Sequence, residues 1–560
     1  MTRYRTRAHA GIVAIALGLT PLIAYGAAQA DQAAAAGPLT ITWHWEGNDD
    51  REDLDTWGID QIEEMFDVDI QVDGINYFQE KERVELMLAN GQFPDFGYLS
   101  GSHANTFEIH REGVTRSIPM AMIREHAPMY AKLLDDSGYG WMVNANPDNA
   151  DEVLSLMGAA ENVAQAPFNG FVVFRHDWAS KAGLPMPGYE DIKEVMDPVG
   201  LTYFYDHDFP IADIESFLVA ARDEDLDGNG KKDTIPLGAS EKLDWSFEPF
   251  LNMYGLTSKP DYTWEAGGEL HFYNTHPRYR DFLSLLAGWY SEGLIDTEFP
   301  TLTRRKKWEK ETLRTYAMST TYWNYNVPAG EGIAAPGSFA KLDEHVDVIM
   351  TWPPVGPGGV EERGMARHVP FALGSYHAYI NADVSDEKLE RILQIYDWMM
   401  MTDEGYALNA RGQEGVHFDW EGEPWSSRLT FDAERVKDGR FYTYPPMYTV
   451  DRLKFLYYSI LHDWAKDNVY SGKGYDMLIY PARYDLFNET GYNDGKVQYG
   501  DALNTLRDEF YLQAITGKVD VDAEWDAHVE RWMNIGGAEL LAELAKAPRG
   551  RELFAGQRVY

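Results

Sequence analysis

Between Leu39 and Gly101 the chain alternates short β-type runs with helical stripes, and this alternation restricts the fold more than any other feature of the sequence. LTITW reads as a strand. In DREDLDTWGIDQIEEMF the residues Ile59, Ile62 and Phe66 share one helical face. DIQVDG is a second strand, YFQEKERVELMLANGQ a helix with Val84, Met87 and Leu88 inward, and PDFGYLSG a third strand ending in glycine and serine. The order β-α-β-α-β requires crossover connections and predicts a parallel sheet covered by helices. In such sheets ligands sit beyond the carboxyl ends of the strands, which places Trp45, Glu46, Gly47 and Asn48, and then Tyr98, Ser100 and Gly101, at the edge of a cleft. Trp43 shares a strand face with Trp45 and reads as core.

The same alternation continues downstream without a fixed-period repeat. HPRYRDFLSLLAGWYSEGLID carries Phe282, Leu285, Leu286 and Trp289 at helical spacing and stops at Gly293. DEKLERILQIYDWMMMTDEGY does the same through Leu389, Ile392, Leu393, Tyr396, Met399 and Met400. Both stripes read as core. With 560 residues, 44% of them hydrophobic, the chain is long enough for two α/β lobes.

Residues 1–30 read as an export leader: Arg3, Arg5 and Arg7, then GIVAIALGLTPLIAYGA, then a small-residue cleavage site at Ala28-Gln29-Ala30. Pro21 interrupts the apolar run, which falls short of the roughly 20 residues that span a bilayer. The absence of cysteine removes disulfides, thiolate zinc sites and a lipid-modified cysteine, so a free periplasmic protein is expected. Without the leader, 46 basic side chains face 90 acidic ones, a formal charge of −44, which disfavours nucleic acid as a partner.

One acidic segment, RDEDLDGNGKKDTIPLG, gathers carboxylates that should repel one another. From Asp225, oxygen donors recur at positions 1, 3, 5 and 9 (Asp225, Asp227, Asn229, Asp233), with Gly230 at position 6 and the Lys231 carbonyl at position 7. These are the first nine positions of an EF-hand calcium loop, in which alternate residues turn inward and the glycine allows the bend. Position 12 is Pro236, so the usual bidentate glutamate is absent, and Thr234 offers a neutral oxygen in its place. A structural calcium ion is the expected occupant. The alternative is an acidic glycine turn that binds nothing.

Catalytic patterns are absent: no HExxH, GxSxG or GxGxxG stands in a meaningful setting. Ser385 and Lys388 satisfy SxxK, but the serine opens a helix and reads as its cap. Aromatic residues carry more information, because several stand in polar, loop-like contexts: Trp45, Trp141, Trp245, Tyr322, Trp323 and Tyr376, the last followed by His377. Flat rings among hydroxyl, amide and carboxylate groups suit the C–H faces and hydroxyls of sugars. Together with Tyr98 they form the candidate ligand set. The dense basic run from Arg304 to Lys307 reads as a solvated helix face, the alternative being a contact for an anionic ligand such as a uronate.

The segments VVFRHDWASKAGLPMP, DLDGNGKKDTIPLG, WEAGGELHFYNTHPRYRDFLSLLAGWYSEGLIDTEF, MTDEGYALNARGQEGVHFDW and ITGKVDVDAEWDAHV resemble, in this order, the large extracellular solute-binding proteins of oligosaccharide ABC importers, the group that includes the alginate-binding periplasmic proteins. The resemblance implies a two-lobed periplasmic-binding-protein fold of type II, with hinged lobes that close on an oligosaccharide and pass it, unaltered, to a membrane permease. It implies a monomer whose first lobe comprises residues 39–172 and about 371–440. The second lobe would comprise 173–370 and about 441–560 and carry the calcium loop at 225–234. A secreted hydrolase or lyase and a binding protein for a non-sugar solute are the alternatives.

Overall fold

The computed structural model describes residues 37–47, 56–76, 80–99, 106–136, 140–157, 169–188, 202–243, 246–312, 315–322, 348–366, 377–425, 429–431, 433–441 and 472–554. The leader segment, residues 1–30, lies outside them.

The first lobe begins with β1 (Leu39–Gly47), α1 (Trp57–Phe66), β2 (Val68–Asn76), α2 (Glu80–Ala89), β3 (Phe96–Leu99) and α3 (Thr106–Arg111). The Thr56 side chain accepts the Ile59 N–H and caps α1, which buries Ile59, Ile62 and Phe66. Burying three such side chains contributes roughly 1.5–3 kcal/mol each. Asp67, with φ of 54°, ends the helix in the left-handed conformation and turns the chain into β2. β1 pairs in parallel with β2 from Leu39↔Val68 to Gly47↔Asn76, and with β3 at Trp43↔Phe96. The predicted β-α-β-α-β unit is therefore present in its predicted order.

After β4 (Thr115–Arg116), helix α4 (Pro128–Asp136) and β5 (Leu156–Met157), the chain crosses to a second sheet. That sheet is built from β6 (Asn169–Arg175), β7 (Thr202–Phe204), β8 (Ile235–Leu237), β9 (Tyr316–Tyr322) and β10 (Val348–Thr351), in the spatial order β7-β10-β6-β9-β8. It then returns through β11 (His377–Asn381), which completes the first sheet in the order β2-β1-β3-β11-β4, with β5 also on β11. In each sheet the strand delivered by a crossing runs against its neighbours: β6 is antiparallel to β9 and β10, and β11 to β3, β4 and β5. The sheets are thus mixed where the sequence predicted parallel pairing. Because β6 lies wholly in the second sheet, the first crossing precedes Asn169 and falls earlier than the expected boundary at 172.

Each of the two large sheets has its own main core. The first gathers Trp43, Phe96, Tyr130 and the stripe Leu389, Ile392, Leu393, Tyr396, Met399 and Met400. That stripe lies on a helix, Asp386–Met401, capped by the Ser385 side chain, which accepts the Lys388 N–H. The second core gathers Phe217, Leu218, Phe282, Leu286 and Trp289 with Phe510 and Trp525 from the C-terminal helices. The 277–291 helix stops where expected: Gly293 takes φ of 73°, and the N–H of Leu294 reaches back to the Trp289 carbonyl at 2.8 Å. The segment after 441 is divided. Ile479, Tyr484 and Leu486 pack into the first core, and the long helix Tyr492–Ile515 enters the second.

The basic run differs from its expectation. It lies on a helix, Arg304–Thr312, but Lys307 is fully buried and pairs with Glu311 at 3.0 Å. Its neighbours behave as surface groups: Arg304 lies 5.0 Å over Trp308, and Arg305 faces Glu309.

Candidate functional site

The acidic loop follows the helix Ile211–Asp223 and precedes β8. Gly228 and Gly230, at φ of 73° and 85°, make the two bends that fold it on itself. Asp225 accepts the N–H groups of Asn229 and Gly230 at 3.0 and 2.8 Å, and the Gly230 bond is the main reason its carboxyl sits below the usual range. The Asn229 amide donates to Asp227 at 2.7 Å and to Asp233 at 2.9 Å. Five of the predicted residues, Asp225, Asp227, Asn229, Lys231 and Asp233, are thereby joined in one hydrogen-bonded knot, with the Lys231 N–H on Asn229 Oδ1. Thr234 lies in the same loop, just before β8, but none of these bonds involves it. Among the described residues no three acidic or histidine side chains converge as metal ligands. The carboxylates are turned onto the loop's own amides, and the Asn229 amide stands as the donor between two of them.

The aromatic candidates are distributed unevenly. Trp45 is opposite Gly74 near the carboxyl end of β1, and Tyr322 is opposite Asn169 at the end of β9. Trp245, Trp323 and Tyr376 lie outside the described residues. His377 pairs with Leu99 and Met157, so it stands at the same carboxyl edge of the first sheet as Trp45. Its ring is buried, its Nδ1 is 2.9 Å from Ser155 Oγ, and burial pushes its pKa down to about 4, which keeps it neutral at neutral pH.

Two candidates take other roles. Tyr98 is wholly buried in the first core, 5.4 Å edge-on from Phe96, and burial drives its hydroxyl pKa up. Its strand position is as predicted, but the side chain points into packing instead of a cleft. Trp141 is half-buried at the edge of that core. Its Nε1 donates to Asp135 at 2.8 Å, and Arg124 lies 4.6 Å over its ring. Arg124, and then Trp141, hold the Asp135 carboxyl down to about 2.

Between the lobes lies a cavity of about 1710 Å³. One wall comes from the first lobe, through α2, α3 and His377. The other comes from 241–243, 258–261, 272–274 and the helix Tyr492–Ile515. It extends from His377, at the carboxyl end of β3, along the flank of the lobe to Asn381, whose N–H meets the Asp95 carbonyl beside the strand's other end. Phe107 presents aromatic surface, Tyr273 and Tyr492 line the wall while nearly buried, and Asp261 anchors a polar cluster. Asp261 accepts from the Tyr492 hydroxyl at 2.9 Å and from Lys496 at 3.2 Å, and Lys496 lies 4.7 Å over the Tyr492 ring. Across the mouth, Arg111 of α3 meets Asp494 at 2.9 Å, an exposed ion pair from one wall to the other. A volume of this size accommodates several linked sugar rings, and a ligand in it would touch both lobes.

Sequence reasoning missed most of this lining. Its residues come from segments separated by hundreds of positions, and no local pattern marks them. The readable signal was the aromatic and acidic content of KPDYTW and NETGYNDGK, which taken alone describe ordinary loops.

No family model matches the chain. Over 502 residues it is 22% identical to Lipoprotein LipO of Bacillus subtilis (strain 168), covering 83% of each chain. Among solved structures it is similar to alginate-binding protein AlgQ2 without calcium ion, with a TM-score of 0.67, 16% identity, and coverage of 91% of this chain and 98% of that one. It is also similar to the Streptococcus pneumoniae ABC-transporter substrate-binding protein FusA, an EF-hand mutant in complex with fructo-nystose. There the TM-score is 0.65, identity is 17%, and coverage is 90% and 98%. Two large sheets, each with its own main core, and an intervening cavity agree with these likenesses over nearly the full length: the chain has the fold of the solute-binding proteins of oligosaccharide ABC transporters.

Proposed function

We propose that this chain is the substrate-binding component of an ABC importer, which takes up an oligosaccharide between its lobes and delivers it to a membrane permease unaltered. The observation that carries the reading is the 1710 Å³ cavity walled by two separately cored lobes. A ligand that touches both walls binds the closed arrangement better and shifts its population, so binding is converted into a shape a permease can recognise. Aromatic rings for sugar faces and charged acceptors for hydroxyls supply the contacts. His377, held neutral, and Trp45 share the carboxyl edge at which such a fold offers its ligand site. Trp245, Tyr322, Trp323 and Tyr376 belong to the same proposal.

Calcium fits the acidic loop as a structural ion. The donors are all oxygens: carboxylates of Asp225, Asp227 and Asp233, the Asn229 amide oxygen, the Lys231 carbonyl, and Thr234. The Asn229 amide nitrogen, which bonds Asp227 and Asp233, does there what a cation would do for both carboxylates. The ion's contribution would be rigidity and charge neutralisation in one lobe.

The reading makes the protein a periplasmic monomer released from its leader. The leader pattern and the lack of any cysteine to carry a lipid support this location, although the relative LipO is described as a lipoprotein. Among the described residues no helix is long and apolar enough to cross a membrane. The test is calorimetric titration of the leaderless protein with oligosaccharides, followed by mass spectrometry of the recovered sugar. Binding of one sugar per chain with unchanged mass is expected. Appearance of a shorter or unsaturated product overturns the reading in favour of an enzyme.

A further inference from the structure

The charge on the cavity wall narrows the class of saccharide. The lining contains nine carboxylate side chains and four cationic ones, a formal balance of −5. Two of the four cations already have acidic partners: Lys496 meets Asp261 at 3.2 Å, and Arg507 meets Asp508 at 2.8 Å. The carboxylates come from both walls, with Glu112 and Asp383 on the first lobe and Asp501 on the second, so a ligand between the lobes meets negative charge on either side. The excess belongs to a chain whose overall formal charge is −41.

We infer that the cavity takes a neutral oligosaccharide and rejects uronate oligomers. This rests on the reading of the cavity as the ligand site. Carboxylates are strong acceptors for sugar hydroxyls, so an acid-rich wall favours a ligand that brings many O–H donors and no charge. A uronate unit brings a carboxylate of its own. Like charges within several ångströms repel at an effective dielectric between protein and water, and the screening length of about 8 Å at physiological salt leaves such contacts unscreened. To find a cation, a uronate would have to reach Lys242 or Lys259, which share their wall with Glu241 and Asp261, or displace Asp261 from Lys496 or Asp508 from Arg507. The aromatic surface of Phe107 serves either ligand and so does not offset the difference.

The test is calorimetric titration of the leaderless full-length chain with two panels of three to five sugar units: neutral gluco-, manno- and fructo-oligosaccharides, and mannuronate and galacturonate oligomers. Titrations are run at low and at high sodium chloride. A neutral glycan should bind, and every uronate should bind at least about 100-fold more weakly at low salt, with the gap narrowing as salt screens the wall. The triple variant E112Q/D383N/D501N alters three exposed side chains and should reduce the neutral-to-uronate ratio by about tenfold. A uronate that binds as tightly as the best neutral glycan overturns the inference, as does a ratio unmoved by salt and by the variant. If no member of either panel binds, the solute-binding reading itself falls, and this inference with it.

Discussion

Lys307 and Glu311 illustrate how much a single residue's role depends on what the rest of the chain places around it. Both side chains are buried, 3.0 Å apart, with Ser319 donating to Glu311 and the Thr320 carbonyl accepting from Lys307 at 3.4 Å. The one-turn spacing of the pair is readable in RRKKWEKE. Its burial is not, because β9 supplies the covering residues. Removing one member leaves an uncompensated charge in the interior, so K307M should cost roughly 3–5 kcal/mol, whereas K307M/E311L should recover most of the loss. Urea unfolding midpoints measure both. Ser385 is the opposite case: its cap role was legible because a cap is made entirely with residues three positions away.

Titration adds a second residue-scale expectation. Burial holds His276, His377 and His528 down to about 4 each, and His528 stacks 3.9 Å from Phe510. The unfolded chain protonates these rings near pH 6.5, so between about 6.5 and 4 it binds protons that the native state refuses, and stability falls as pH falls. Asp397 acts in reverse. Burial pushes its carboxyl up to about 6, so its contribution is present below about 4 and lost as pH rises through about 6. Three histidines outweigh one aspartate, and the urea midpoint should drop from pH 7 to pH 5. In H528Q the dependence should flatten by about 1 kcal/mol per pH unit.

At the scale of elements, the legible parts were those whose signal is local. The β-α-β-α-β unit and the stripes on 277–291 and 386–401 were readable because a 3.6-residue or two-residue period needs no distant partner. The antiparallel placement of β6 and β11 was not, since each pairs with strands delivered from far along the chain. Gly170, at φ of 107°, sits where β6 begins, and a Cβ there would lie 2.0 Å from Asn252 Oδ1. G170A should therefore destabilise by roughly 1–3 kcal/mol, read as a lowered melting temperature. The acidic loop was legible as a set of oxygen donors in register. Whether those donors face an ion or the loop's own amides depends on the ion itself. Calcium should raise the melting temperature of the leaderless protein, a chelator should remove the gain, and D225N/D227N should abolish the response to both. An unchanged melting temperature with calcium and with chelator would leave the loop as a hydrogen-bonded turn.

At the scale of the whole molecule, the two large sheets are joined by crossings that leave and re-enter the first sheet at its carboxyl edge, beside Met157 and His377. This topology lets each lobe keep its own core while the space between them changes. The exposed Arg111–Asp494 pair across the cavity mouth adds at most about 1 kcal/mol and is no obstacle to such a change. None of this long-range arrangement was visible in any one stretch of sequence. It came instead from the resemblance of several segments taken in order. The central claim is that a saccharide draws the two lobes together. Small-angle X-ray scattering of the leaderless protein, free and saturated with a neutral oligosaccharide that binds it, tests this most directly. A smaller radius of gyration with ligand is expected, and superimposable scattering curves at saturation would contradict the account.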